Sequence, residues 1–244
     1  MDDVRMQLQS LLPAAIRHRP WVGETSARQH DLPARENIFR SGDSLQRVYF
    51  VARGWLRGST ALAENVRPLS NLYIRGDIIG LPWIGQLNQI EDVTTITHCE
   101  LISVPAKQFQ DWRHKDSLLQ TYIQDELVRE TINLRMMNAV IGQMKAPDRL
   151  AFFLFLTFQR IQRTYRTQTN ALSLPMTQEE IGRMLGLTNV SVNRAFRALE
   201  SQGRIATARQ TVTFLDQDWF RERFDFNSRE NLIEQMVGTP LEHL

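Results

Sequence analysis

Hydrophobic and polar positions change their period along the chain, and each change marks an element boundary. Residues 3–17 (V-R-M-Q-L-Q-S-L-L-P-A-A-I-R-H) read as a short helix interrupted near Pro13. From about 33 to 105 the texture becomes short, β-rich runs punctuated by glycine. R-V-Y-F-V-A-R and W-L-R-G-S-T flank Gly54, V-R-P-L-S-N-L-Y-I leads to Gly76-Asp77, and V-T-T-I-T-H-C-E-L-I-S-V fills 93–104. Alternating or β-branched runs bounded by turn residues predict an antiparallel sandwich or barrel.

Near Ala106 the period turns helical. Between about 116 and 143, Leu119, Ile123, Leu127, Leu134, Met137 and Ile141 recur at helical steps with charged residues between them. Such a stripe suits a two-stranded coiled coil, and it also suits packing into the chain's own core. Pro147 fits the first turn of a further helix, D-R-L-A-F-F-L-F-L-T-F-Q-R-I-Q-R, which ends near 163.

The next segment carries the most information. Thr177-Gln178-Glu179-Glu180 has the spacing of a capping box, with a hydroxyl and a carboxylate each able to satisfy the other's backbone amide. The helix it starts, I-G-R-M-L, stops at Gly186, and Thr188 is placed to cap a second helix, N-V-S-V-N-R-A-F-R-A-L-E-S-Q. Gly182 is small where two helices must cross closely. Ile181, Leu185, Leu187, Val192 and Ala195 supply a small core, so the segment reads as a helix-turn-helix. G-R-I-A-T-A-R-Q-T-V-T-F-L then reads as two strands around Ala208-Arg209-Gln210, a wing.

On the second helix, Asn189, Ser191, Asn193 and Arg194 lie on or near the face opposite that core. Arginine matches guanine O6/N7 and asparagine matches adenine N6/N7, which makes them candidate base readers on double-stranded DNA. The competing reading is a protein-interaction module that uses the helix-turn-helix as a docking surface.

Composition changes this picture little. The net charge is +2, but residues 145–222 hold 11 Lys/Arg against 7 Asp/Glu, a basic bias on the part that would meet a duplex. The longest apolar run, A-F-F-L-F-L at 151–156, is far short of the roughly 20 residues of a membrane span. M-D-D-V-R-M-Q lacks a secretory layout, so a cytoplasmic protein with no membrane partner is expected. Nothing resembles a nucleophile–base pair, a phosphate-cradling glycine loop or an HExxH metal pair, so no enzyme is expected.

Together these features resemble the Crp/Fnr family of bacterial regulators. The likeness runs from about residue 30 to 220 through the glycine-punctuated β segment, the long helix, A-P-D-R-L-A and M-T-Q-E-E-I-G-R-M-L-G-L-T-N-V-S-V-N-R. It implies an α+β fold: an N-terminal cyclic-nucleotide-binding-like β-roll, a long central dimerisation helix and a C-terminal winged helix-turn-helix. Residues 1–115 would form the sensor with its N-terminal helix, 116–144 the dimer helix and 145–222 the DNA-binding domain. Residues 223–244 would be a C-terminal extension. The resemblance also implies a homodimer on a near-palindromic site and, for an activator, contact with RNA polymerase.

By the same resemblance Thr177, Gln178 and Arg209 would touch phosphate, and Arg194 matches the family's base-reading arginine. Val190 stands where the family's base-reading glutamate is expected. It cannot accept a hydrogen bond from cytosine and suits a thymine methyl instead.

The sensor departs from the cyclic-AMP-binding pattern. Leu81 follows Gly80 where a ribose-binding glutamate is expected, and the phosphate-binding pair falls at Gln89-Ile90, without an arginine. Cyclic nucleotide is therefore not expected. A single cysteine, Cys99, argues against an iron–sulfur cluster and reads as a small buried residue or a redox thiol. Haem would need an axial ligand, and His98 and His114 read more simply as surface or hydrogen-bonded residues. No cofactor is evident. Trp55, Tyr73 and Trp83 are either core aromatics or the lining of an apolar cavity for an unidentified small-molecule effector.

Overall fold

A computed structural model describes residues 2–64, 66–81, 88–165 and 167–226. The chain divides into two compact units, one running through Asp125 and the next beginning at Glu126.

In the first unit α1 (Asp2–Leu11) and α2 (Pro20–Gly23) precede the β segment. Its strands are β1 (Arg28–Leu32), β2 (Asn37–Phe39), β3 (Arg47–Arg53), β4 (Leu56–Ser59), β5 (Leu69–Tyr73), β6 (Ile78–Ile79), β7 (Asp92–Thr95) and β8 (Cys99–Pro105). They form two antiparallel sheets, β1-β8-β3-β6 and β2-β7-β4-β5. Phe39, Leu45, Val51, Leu56, Ile79, Val93, Cys99 and Leu101 pack as one buried cluster drawn from both sheets. The runs predict an antiparallel sandwich or barrel, and these two packed sheets are the β-roll that the family resemblance implies.

β3 is buried along most of its length rather than on alternate residues, which explains its nearly continuous apolar run. Phe50 of β3 meets Phe109 of α3 (Ala106–Lys115) at 6.0 Å, edge to face. α3 thus covers part of the face of that sheet turned away from the cluster.

α4 (Ser117–Gln143) is the long helix that the apolar stripe predicts. Its stripe is not uniform. Leu119 and Ile123 are fully buried in the single chain, Leu127, Met137 and Ile141 are half-buried, and Leu134 is 49% exposed. This corrects the expectation that all six form the dimer seam. The first two are already consumed by the chain's own core, and the exposed part of the stripe begins at Leu127.

In the second unit α5 (Ala146–Tyr165) buries every residue from Leu150 to Phe158. A helix apolar all round must be covered on all sides. Much of the cover is aromatic: Phe155 lies 5.0 Å from Phe220, 5.5 Å from Phe214 and 5.1 Å from Phe226. β9 (Ala171–Ser173), α6 (Gln178–Leu185), α7 (Asn189–Ser201), β10 (Ile205–Ala208), β11 (Thr211–Phe214) and α8 (Gln217–Arg223) complete this unit. Its sheet has the order β10-β11-β9, all antiparallel. The core runs past residue 222, since Phe224 is 5% and Phe226 0% exposed. An extension starting at 223 would cut through that packing. Residues 227–244 lie outside the described residues.

Candidate nucleic-acid interface

The helix-turn-helix is built by local chemistry that can be followed atom by atom. Thr177 Oγ1 accepts from the Glu180 amide at 3.2 Å, and Glu180 Oε2 accepts from the Thr177 amide at 2.9 Å. Two donors that a helix start leaves unpaired are thereby satisfied. At the far end Gly186 adopts φ 64°, and the Leu187 amide donates to the Gly182 carbonyl at 2.9 Å. A Cβ on Gly182 would lie 2.5 Å from the Leu187 carbonyl oxygen, so the turn closes only over glycine. Arg149, from the A-P-D-R-L-A segment, donates to the Leu185 carbonyl at 3.3 Å and to the Met144 carbonyl at 2.8 Å. It ties the end of α6 to the start of α5.

Thr188 caps α7, its Oγ1 accepting from the Ser191 amide at 3.2 Å. Val192, Ala195 and Leu199 turn inward and are buried with Ile181 and Leu185, whereas Leu187 is only half-buried. At 100° per residue the opposite face carries Val190, Arg194 and Arg197, with Asn193 beside them. Val190 is 60% exposed, an isolated apolar side chain held out from the protein by a rigid helix. Asn189, Arg194 and Arg197 are also exposed, and Asn193 is half-buried.

Ser191 does not belong to that outward stripe. It is half-buried and its hydroxyl pairs with Thr188 Oγ1 at 3.0 Å, within the cap. A polar residue three places after a threonine cap is as well used closing the helix start as reaching outward. Arg197 was not singled out by the sequence reading. Its signal was available in the seven-residue step from Val190, which returns to the same helix face.

The wing pairs Ala208 with Thr211, leaving Arg209-Gln210 at its tip. Arg209 takes φ 54°, a left-handed backbone that costs a non-glycine residue energy. Thr177, Gln178 and Arg209 are all exposed. Gln178, Asn193, Arg197 and Arg209 line one groove between α6, α7 and the wing, over a floor that includes Ile181 and Val212.

In the β-roll, Tyr73 packs against the buried cluster while its hydroxyl donates to Glu91. Ser70 donates to the other carboxylate oxygen at 2.5 Å. Glu91 is only 5% exposed and lies over Gly58, where a Cβ would come within 1.9 Å of Oε2. Gln89 is 2% exposed, with no hydrogen-bond partner for its Oε1 among the described residues, and Ile90 is 61% exposed. Trp83 lies outside the described residues. Cys99 is fully buried, and burial pushes its thiol up despite contacts to Thr97 and to the Trp55 and Thr97 carbonyls. His98 pairs with Asp31 at the surface, and His114 is exposed. Among the described residues no helix is long and apolar enough to cross a membrane.

Comparison with known proteins agrees with this geometry. A model of the cyclic nucleotide-binding domain matches residues 29–116, and one of the Crp-like helix-turn-helix domain matches residues 148–223. The chain is 26% identical over 194 residues to the nitrogen fixation regulation protein FixK of Bradyrhizobium diazoefficiens, covering 79% of this chain and 80% of FixK. It is 21% identical over 192 residues to the fumarate and nitrate reduction regulatory protein of Escherichia coli, covering 78% and 76%. Among solved structures, FixK2 from Bradyrhizobium japonicum superposes with a TM-score of 0.68 at 20% identity, over 80% of this chain and 96% of that one. CooA from Carboxydothermus hydrogenoformans gives 0.62 at 19% identity, over 81% and 88%.

A β-roll of the cyclic nucleotide-binding domain type followed by a Crp-like helix-turn-helix defines a DNA-binding transcription regulator. The chain belongs to the Crp/Fnr family.

Proposed function

We propose that the protein acts as a homodimer, placing two copies of α7 in successive major grooves of a near-palindromic site roughly 34 Å apart. The observation that carries this reading is the outward stripe of α7. Its inner residues are locked in a buried core while Val190 and Arg194 stand free at its N-terminal half, the part of a recognition helix that meets base edges. In this reading Arg194 reads guanine, Asn189 and Asn193 read adenine, and Val190 packs on a thymine methyl.

The dimer seam is the part of the α4 stripe that the single chain leaves open, the half-buried Leu127, Met137 and Ile141 with the exposed Leu134. Replacing Leu134 with glutamate puts a charge in that seam. Sedimentation equilibrium should show the wild-type protein as a dimer and Leu134→Glu as a monomer with the same helical content. A variant that stays dimeric would place the seam elsewhere.

The sensor, in this proposal, takes no cyclic nucleotide. A cyclic phosphate needs a cation, and the residues do not fit one. Gln89 and Ile90 bring no positive charge, and two residues on the buried Glu91 carboxylate would repel an anion. An effector of other chemistry would act only through different affinities for two arrangements of the dimer.

A further inference from the structure

We infer that the roll-facing side of β1, β8 and β3 binds a small, doubly charged oxyanion, inorganic phosphate or a dicarboxylate, between Arg28, His30 and Arg47. The inference is independent of the DNA-binding reading. It uses none of the positions, Leu81, Gln89 and Ile90, at which cyclic-nucleotide contacts are expected.

Register brings the three side chains together. Ser103 of β8 pairs with Arg28 of β1 on one side and with Tyr49 of β3 on the other. Alternation along each strand puts His30 on the face of Arg28, and Arg47 on the face of Tyr49. Tyr49 packs against the buried cluster inside the roll, and its ring lies 5.5 Å from that of His30.

The group is built around a buried hydroxyl. Ser103 is fully buried, and its Oγ accepts from Arg47 Nε at 2.7 Å and lies 2.7 Å from His30 Nε2. Arg47 Nη2 also donates to the Ser103 and Ser26 carbonyls at 2.9 and 3.0 Å. These bonds fix the guanidinium in place and leave its Nη1 group for an outside acceptor. Because the hydroxyl already accepts from Arg47, its own proton is available to His30 Nε2, which leaves the imidazole N–H on Nδ1.

The charge around that hydroxyl is one-sided. Burial, then Arg47, then Arg28 hold the His30 imidazole below its ordinary value, and burial and Arg28 press the Arg47 guanidinium down as well. Exposed arginines elsewhere in the chain are screened by water, but Arg47 and His30 are half-buried, so their repulsion is not. An oxyanion placed among them relieves it and accepts from Arg47 Nη1, His30 Nδ1 and Arg28, which stands exposed on the open side. A phosphate dianion or a dicarboxylate brings two charges to this site, whereas a cyclic phosphodiester brings one.

The test titrates inorganic phosphate, and separately succinate, into the whole chain by isothermal calorimetry, in chloride buffer of matched ionic strength. The wild type should give a saturable isotherm with at least one of them, and the tighter of the two names the class. Arg28→Gln should weaken that binding by about tenfold, the worth of one charge-assisted contact. Arg28→Glu supplies the missing negative charge from within the chain, so it should abolish binding and raise the thermal midpoint in chloride alone. Both variants alter an exposed side chain and should fold as the wild type does. The His30 ring proton resonances should move during the wild-type titration and saturate together with the heat. Absence of saturable binding by both anions, or binding that Arg28→Gln leaves unchanged, overturns the site.

Discussion

The Trp21 indole N–H donates to Asp116 Oδ2 at 2.9 Å, and the same carboxylate caps the long helix α4. Asp116 Oδ1 accepts from the Leu118 and Leu119 amides at 3.0 and 3.3 Å, and Arg19 Nε lies 3.3 Å from Oδ2. Trp21 itself packs against Trp112 of α3, with ring centroids 4.7 Å apart and the rings tilted by 31°. One side chain thus joins the N-terminal segment, the end of α3 and the start of α4.

Asp116→Ala should cost about 2 kcal/mol of stability, the sum of a lost cap and an orphaned indole donor, read from urea denaturation. Burial pushes the Asp116 carboxyl up, but the bonds from Trp21, Leu119 and Leu118 and the charge of Arg19 outweigh it and hold the group below its ordinary value. The unfolded chain therefore takes up the proton first as pH falls. This contribution is fully present above the ordinary aspartate pKa of about 3.9 and is lost below it. The wild type and Asp116→Ala should converge in stability under acid; a gap that persists there would contradict the assignment.

Gly182→Ala should unfold the DNA-binding unit more easily. Its Cβ would press on the Leu187 carbonyl at 2.5 Å, backbone that cannot yield without reopening the turn. Overpacking of this kind costs about 1–3 kcal/mol. Differential scanning calorimetry should show a lower transition, and duplex affinity should fall with it.

Arg209→Gly separates stability from binding. Glycine removes the left-handed strain, worth about 1 kcal/mol, at a comparable cost in chain entropy. The thermal midpoint should hold or rise while duplex affinity falls. A lower midpoint would mean that the Arg209 side chain serves the wing's fold rather than DNA.

For the sensor, a bound nucleotide at about 100 times its Kd would stabilise the protein by about 2.7 kcal/mol. Cyclic AMP and cyclic GMP should produce no thermal shift. Glu91→Ala should destabilise the β-roll by about 1–3 kcal/mol, because the Ser70 and Tyr73 hydroxyls lose their acceptor.

The parts legible in the sequence were those governed by neighbours a few residues away. Thr177 with Glu180, Gly186, and Thr188 announce the two helices because caps work at fixed short spacing. That residues 33–105 form antiparallel strands and that α4 is one long helix were legible from period alone; the β-roll arrangement came only with the family resemblance. What stayed hidden depends on which body covers a surface. Helical spacing places Leu119 beside Leu127 in one stripe, but only the folded chain shows Leu119 buried and Leu127 half-open. Ser191 is polar and near the outward face, yet its hydroxyl is spent on the Thr188 cap. Phe224 and Phe226 carry no local pattern, and their place against Phe152 and Phe155 is long-range packing. Glu91 drew no attention in the sequence, and it is buried because the hydroxyls that hold it, Ser70 and Tyr73, come from β5, about twenty residues away.

The central claim is that α7 reads DNA through its outward stripe in a two-fold arrangement. The most direct measurement is selection of bound sequences from a random duplex library by the purified protein and by Arg194→Ala. The account predicts that the wild type enriches an inverted repeat with half-site centres about one helical turn apart. Arg194→Ala should lose the preference for guanine at one position of each half-site. Enrichment of no motif, with or without cell extract to supply an effector, would contradict it, as would a motif that Arg194→Ala leaves unchanged.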